Sequence, residues 1–129
     1  MSYTIYTSHA PAAIGPYSQA VVAGGLVFTS GQIPIDPASG QIIAQGIREQ
    51  TVQVCENLKA VLKAAGSSLD KAVKTGCFLS DMGDFAEFNE VYAEYFTGKP
   101  ARSCVAVKTL PRGVLVEIEV IAEVSDAQN

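Results

Sequence analysis

The chain has 129 residues, 48% of them hydrophobic and 17% charged, enough for one packed core and too few for two comfortable domains. Its 9 basic and 13 acidic residues give a net charge of -4, and the lysines and arginines are scattered, which argues against the concentrated basic face that a phosphate backbone needs. No apolar run nears the roughly 20 residues of a membrane span, and the N-terminus lacks a basic then apolar leader. The three cysteines, Cys55, Cys77 and Cys104, are an odd number at wide spacings and fit no disulfide framework, so a reduced, cytoplasmic protein is expected. The single histidine, His9, lies in a polar leading segment, which gives neither a zinc site nor a Cys-His catalytic pair a sound basis.

In chain order, Tyr3 to Tyr6 reads as a short first strand, followed by a loop holding Pro11, Gly15 and Pro16. Ser18 to Val22 and Leu26 to Ser30 form a hairpin through Ala23-Gly24-Gly25, and Ile33 to Gln45, with Pro34, Pro37 and Gly40, is an irregular connection. Ile47, Val54, Cys55, Leu58, Val61, Leu62 and Ala65 recur mostly at steps of three and four, predicting a helix from about Ile47 to Ala65 that Gly66 ends. Lys71 to Ser80 is a strand with Val73, Cys77 and Leu79 on one face and Lys74, Gly76 and Phe78 on the other. A second helix starts near Asp84, with Asp84 and Glu87 as a capping box and an aromatic stripe for the core.

Arg102 to Lys108 and Val114 to Val124 are two more strands, expected to pair antiparallel across the turn from Thr109 to Gly113. In the last strand Val116, Ile118 and Val120 belong to the face toward the helices, while Leu115, Glu117, Glu119 and Ile121 belong to the other. Two helices following strands of one sheet imply an α+β fold resembling a ferredoxin-like unit with an extra N-terminal hairpin, both helices on one face. The bare face would then display Cys104, Ala106, Leu115, Ile121 and Phe78, enough apolar area to predict an oligomer that buries it.

Alternation along Arg102-Ser103-Cys104-Val105, with Val105 and Val107 turned to the helices, puts Arg102 and Cys104 on the bare face with Glu117 and Glu119. A symmetric hairpin sets Cys104 opposite Glu117 and Arg102 opposite Glu119, and a two-residue slip would change those partners. A guanidinium suits a two-point grip on a planar carboxylate, and a nearby glutamate suits activation of water. The same pattern also describes a plain cross-strand ion pair, and Cys104 without a histidine reads equally as a small filler. Tyr17 after Gly15-Pro16 offers a phenol, and Thr29-Ser30-Gly31 a hydroxyl and a backbone N-H.

Four blocks carry a resemblance: Ile14-Gly15-Pro16-Tyr17-Ser18-Gln19-Ala20, Thr29-Ser30-Gly31-Gln32-Ile33-Pro34, Pro100-Ala101-Arg102-Ser103-Cys104-Val105, and Val116-Glu117-Ile118-Glu119-Val120-Ile121-Ala122. Together they span nearly the whole chain, and they closely resemble the RidA/YjgF family of enamine/imine deaminases. The resemblance implies a single chorismate-mutase-like domain over residues 1–129, a homotrimer with sites between neighbours, and no metal or cofactor. It implies hydrolysis of 2-imino acids such as those from 2-aminoacrylate and 2-aminocrotonate, with Arg102 binding the carboxylate and Glu117 holding water. Tyr17, Ser30, Gly31, Asn89 and Cys104 match positions that line the pocket, and the connection from Phe96 to Pro100 looks about a residue short for the family. Two other readings use the same residues: a trimeric regulator that binds small carboxylates without turning them over, and an RNA-acting translation inhibitor, which the acidic charge disfavours.

Overall fold

The computed structural model describes residues 1–125. Strands β1 (Ser2–Ile5), β2 (Ala20–Ala23) and β3 (Leu26–Thr29) are followed by helix α1 (Ile47–Ala64) and strand β4 (Ala72–Leu79). Helix α2 (Phe85–Tyr95) and strands β5 (Ala101–Ala106) and β6 (Val116–Glu123) complete a six-stranded sheet in the order β1-β2-β3-β6-β4-β5. The architecture is the expected α+β one, with a mixed sheet: β4 and β5 run parallel and the other neighbours antiparallel.

The early hairpin forms as the sequence predicts, a two-residue turn in which Gly24 and Gly25 take φ of 61° and 78°, a conformation that suits glycine and matches the twist of the flanking strands. In α1 the stripe Ile47, Val54, Leu58, Val61 and Leu62 is buried against the sheet. Two buried amides tie the irregular stretches to this helix. Asn57 Nδ2 donates to the carbonyls of Ile33 and Ile35, and Gln50 Oε1 accepts from the Leu115 N-H at 2.8 Å. The stripe Phe88, Tyr92 and Phe96 of α2 and its C-terminal end closes the core beside α1.

Several expectations are corrected. Strands β5 and β6 form no hairpin, because the β4-α2-β5 segment is a strand-helix-strand crossover, which lays β5 parallel to β4 at the sheet edge. The nine residues 107–115 then carry the chain back so that β6 inserts between β3 and β4. The pairs Cys104–Glu117 and Arg102–Glu119 therefore do not exist. Phe78 faces Glu117 and Gly76 faces Glu119 across β4 and β6, while Cys77 pairs with Cys104 across β4 and β5. Second, an irregularity between Ala72 and Lys74 shifts the start of β4, so Ala72 is buried where Val73 was expected and Val73 is 41% exposed. Third, Asp84 makes no side-chain cap; Asp81 instead accepts from the Gly83 N-H at 2.7 Å in the 3-10 turn that leads into α2.

Register also reverses the faces of β5. The rows Val120–Thr75–Arg102 and Ile118–Cys77–Cys104 look toward the helices, and Val116–Leu79–Ala106 continues them. On the bare face lie Phe28–Ile121–Lys74, Glu119–Gly76–Ser103 and Glu117–Phe78–Val105. Ile121 and Phe78 are where the sequence placed them, whereas Arg102, Cys104 and Ala106 are on the opposite side. Leu115 packs against the core instead of lying open.

Candidate functional site

The seven residues singled out from sequence fall into two groups that do not meet within one chain. Arg102, Asn89 and Cys104 lie at the β5 edge under α2; Tyr17, Ser30, Gly31 and Glu117 line a cavity of about 350 Å3 on the other face. Strand β4 separates Arg102 on β5 from Glu117 on β6, and the two side chains leave the sheet in opposite directions.

The first group is organised by α2. Phe85, Asn89 and Tyr92 recur at steps of four and three and so share one helical face. That face grips Arg102: Nη1 donates to Asn89 Oδ1 at 2.7 Å, and the guanidinium carbon lies 4.7 Å from the Tyr92 ring centroid and 5.5 Å from that of Phe85. Among the described residues the ion pairs join Arg48 to Glu87 and Glu90, so Arg102 has no carboxylate partner there. A half-buried guanidinium held by a neutral amide, with N-H groups to spare, is arranged to receive an anion. Cys104 is half-buried beside it. Burial pushes its thiol up, with Arg102 opposing, which keeps it a thiol and unsuited to nucleophilic attack.

The second group is held by the N-terminal arm. Gln19, buried, accepts the Thr7 N-H at 2.7 Å and donates to the carbonyls of Thr7 and Pro11, fixing the loop that carries Tyr17 over the cavity. Ser30 Oγ donates to the Ser18 carbonyl at 2.6 Å. Its proton is thus committed, and toward the cavity the oxygen is an acceptor. Glu117 approaches Gly31 closely: a Cβ there would overlap the carboxylate and turn it from its present place, and one on Gly76 would come within 2.9 Å of Glu119 Oε2. Burial raises the Glu117 carboxyl above its usual range, and the Glu119 charge adds to the effect. A carboxyl so raised is suited to accept a proton from water and return it.

Sequence reasoning missed the two aromatic rings around Arg102 and the strap made by Gln19. Both had a signal. Asn89 interrupts an otherwise aromatic stripe between Phe85 and Tyr92, and an amide in that position asks for a polar partner. The short connection after α2 is tight: Gly98 sits against the Asp70 carbonyl, where a Cβ would come within 2.9 Å, and Lys99 takes a φ of 54°. A larger open groove, about 640 Å3, runs along the outside of α1 past His9, and contains none of the seven residues.

The mixed sheet with paired helices and this divided set of polar groups define a protein of the Rid type. The chain belongs to the RidA/YjgF family, described as Endoribonuclease L-PSP, which it matches over residues 7–124. It is 56% identical to a RutC family protein of Pyrococcus horikoshii over 123 residues, 95% of this chain and 98% of the other. It is 50% identical to the mouse protein named 2-iminobutanoate/2-iminopropanoate deaminase, over 92% of this chain and 88% of the mouse protein. The crystal structure of Escherichia coli TdcF with bound serine superposes with a TM-score of 0.89 at 46% identity, covering 95% of this chain and 99% of that one.

Proposed function

We propose that the protein hydrolyses short 2-imino acids to 2-oxo acids and ammonia. The observation that carries the reading is the Arg102 guanidinium, held by Asn89 at the sheet edge without a carboxylate partner among the described residues and with donors left for a planar carboxylate. The mouse relative's name gives the imine class, and a serine-bound structural relative fits a pocket sized for a small amino-acid skeleton. Because Arg102 and Glu117 lie on opposite faces of one sheet, the site is completed by a second copy: the Arg102 group of one subunit meets the Glu117 cavity of the next. The apolar bare face, with Phe28 41% and Val105 48% exposed, supplies the contact, and a homotrimer is the assembly the family resemblance implies.

In this reading Arg102 orients the substrate by its carboxylate, and any enamine form tautomerises to the imine before attack. Glu117 takes a proton from water as the water oxygen bonds to the imine carbon, giving a carbinolamine. That proton passes to nitrogen to complete the carbinolamine; Glu117 then takes the hydroxyl proton and returns it to nitrogen as the C-O double bond forms and the C-N bond breaks, and ammonia and the 2-oxo acid leave. Ser30 Oγ, an acceptor toward the cavity, suits the substrate N-H better than the carbonyl oxygen of the product. The chemistry asks for no metal or cofactor, and among the described residues no group of three or more His, Cys, Asp and Glu is arranged to hold a metal. The test is to generate 2-iminobutanoate or 2-iminopropanoate in place and follow the 2-oxo acid: acceleration above spontaneous hydrolysis is expected. Tight binding of 2-oxobutanoate without acceleration would instead make the protein a small-carboxylate regulator, and cleavage of RNA without deamination would return it to the family's descriptive label.

A further inference from the structure

Val120, Thr75 and Arg102 stand side by side in register on β6, β4 and β5, so Arg102 is the outer end of a row rooted in the core. An arginine on an edge strand ordinarily sweeps through solvent, and fixing it costs rotamer entropy. Here the guanidinium lies closer to the Tyr92 ring than to Phe85, at 4.7 Å against 5.5 Å. Tyr92 is itself immobile by construction. It is 7% exposed, its ring stacks on Phe96 at 4.5 Å and meets Phe88 at 5.6 Å, and its hydroxyl shares a buried 2.7 Å hydrogen bond with Thr75. Arg102's own neighbour in the sheet thus also meets the hydroxyl end of the ring on which Arg102 rests.

Building on the proposed role of Arg102 as carboxylate clamp, the geometry points to the Tyr92 ring, packed on Phe88 and Phe96, as a positioning platform that presents Nη2 and Nε of Arg102 to the substrate. Asn89 holds Nη1 from one side, and the ring covers one face of the guanidinium plane, which leaves the outer edge for a two-point contact. Such a ring under a partly desolvated cation corresponds to roughly a three- to thirtyfold effect on affinity. Because the clamp touches the carboxylate and not the reacting carbon, the effect falls on KM and not on kcat.

The experiment compares wild type, Tyr92→Leu and Tyr92→Phe in steady-state deamination, in competitive inhibition by 2-oxobutanoate, and in the NMR signals of the Arg102 side chain. In the wild type those signals are expected to be displaced upfield by the ring, and to stay so in Tyr92→Phe, which keeps the platform. Tyr92→Leu is expected to raise KM and weaken 2-oxobutanoate about tenfold with kcat within about twofold, while Tyr92→Phe stays within about threefold of wild type throughout. Arg102 signals at ordinary positions in the wild type would overturn the inference without need of any variant. A folded Tyr92→Leu with unchanged KM and inhibition, or a Tyr92→Phe as impaired as Tyr92→Leu, would do the same. Arg102→Ala run in parallel separates the two levels: if it leaves KM and inhibition untouched, the clamp itself fails, and if it removes both while Tyr92→Leu does not, only the positioning role does.

Discussion

Replacement of Arg102 by alanine is expected to lower kcat/KM for a short 2-imino acid about a hundredfold, nearly all of it through KM. A charge-assisted, two-point contact in a partly buried site is worth about 3 kcal/mol when one partner is truncated, and each 1.4 kcal/mol is about a factor of ten. Arg102→Lys keeps the charge and loses the planar fork, along with the packing on the Tyr92 and Phe85 rings, so it is expected to recover only a small part of the loss. Initial rates of 2-oxo acid formation, corrected for spontaneous hydrolysis, measure this. An unchanged KM in a folded Arg102→Ala protein would remove the clamp from the mechanism.

Glu117→Gln is expected to act on the other parameter, lowering kcat about a hundredfold with KM within about threefold, because the carboxylate works on water and not on the bound carboxyl group. It has a second, opposite consequence. Burial and the Glu119 charge raise the Glu117 carboxyl above its ordinary 4.5, so the unfolded chain gives up that proton at lower pH than the folded one. From about pH 4.5 upward the folded state holds more protons, and stability falls as pH rises through that window. Glutamine never ionises and so removes this slope. Thermal melts are expected to show Glu117→Gln more stable than wild type near neutral pH and indistinguishable from it in acid. A melting curve that moves the other way would mean that the carboxylate is a stabilising ion and not a strained one.

The parts of the fold set by local periodicity were legible from sequence: the Gly24-Gly25 hairpin, the α1 stripe, the aromatic stripe of α2 and the alternating faces of β6 all formed within a residue or two of their expected limits. What was not legible was which strands become neighbours. Residues 107–115 look like a hairpin loop because they hold Pro111 and Gly113, yet the preceding β4-α2-β5 crossover already commits β5 to the outer side of β4. Once β5 is an edge strand its own sequence says little about its faces. Ala101, Ser103 and Val105 on one side and Arg102, Cys104 and Ala106 on the other differ too weakly in hydrophobicity to choose, and a shift of one residue exchanges them. Seating Val105 toward the helices was the natural choice and it put Arg102 on the wrong face.

That error has a functional meaning. Had β5 and β6 paired as the expected hairpin, a cross-strand ion pair between Arg102 and a β6 glutamate would have used up both, and neither would be available to a ligand. The actual register keeps the cation and the carboxylates apart, leaves Arg102 resting on neutral and aromatic neighbours, and leaves Glu117 over Gly31 beside the Glu119 charge. On the proposed reading, the two halves of the site come together only with a second copy.

Subunit mixing tests this most directly. Arg102→Ala and Glu117→Gln, each about a hundredfold down in kcat/KM, are unfolded together in equal amounts, refolded so that subunits combine at random, and assayed at substrate well below KM. If each site takes Arg102 from one subunit and Glu117 from its neighbour, about a quarter of the sites in any symmetric ring receive both intact residues, and about a quarter of wild-type activity returns. If the site lay within one chain, every site would keep one defect, and the mixture would be no more active than the two variants measured separately.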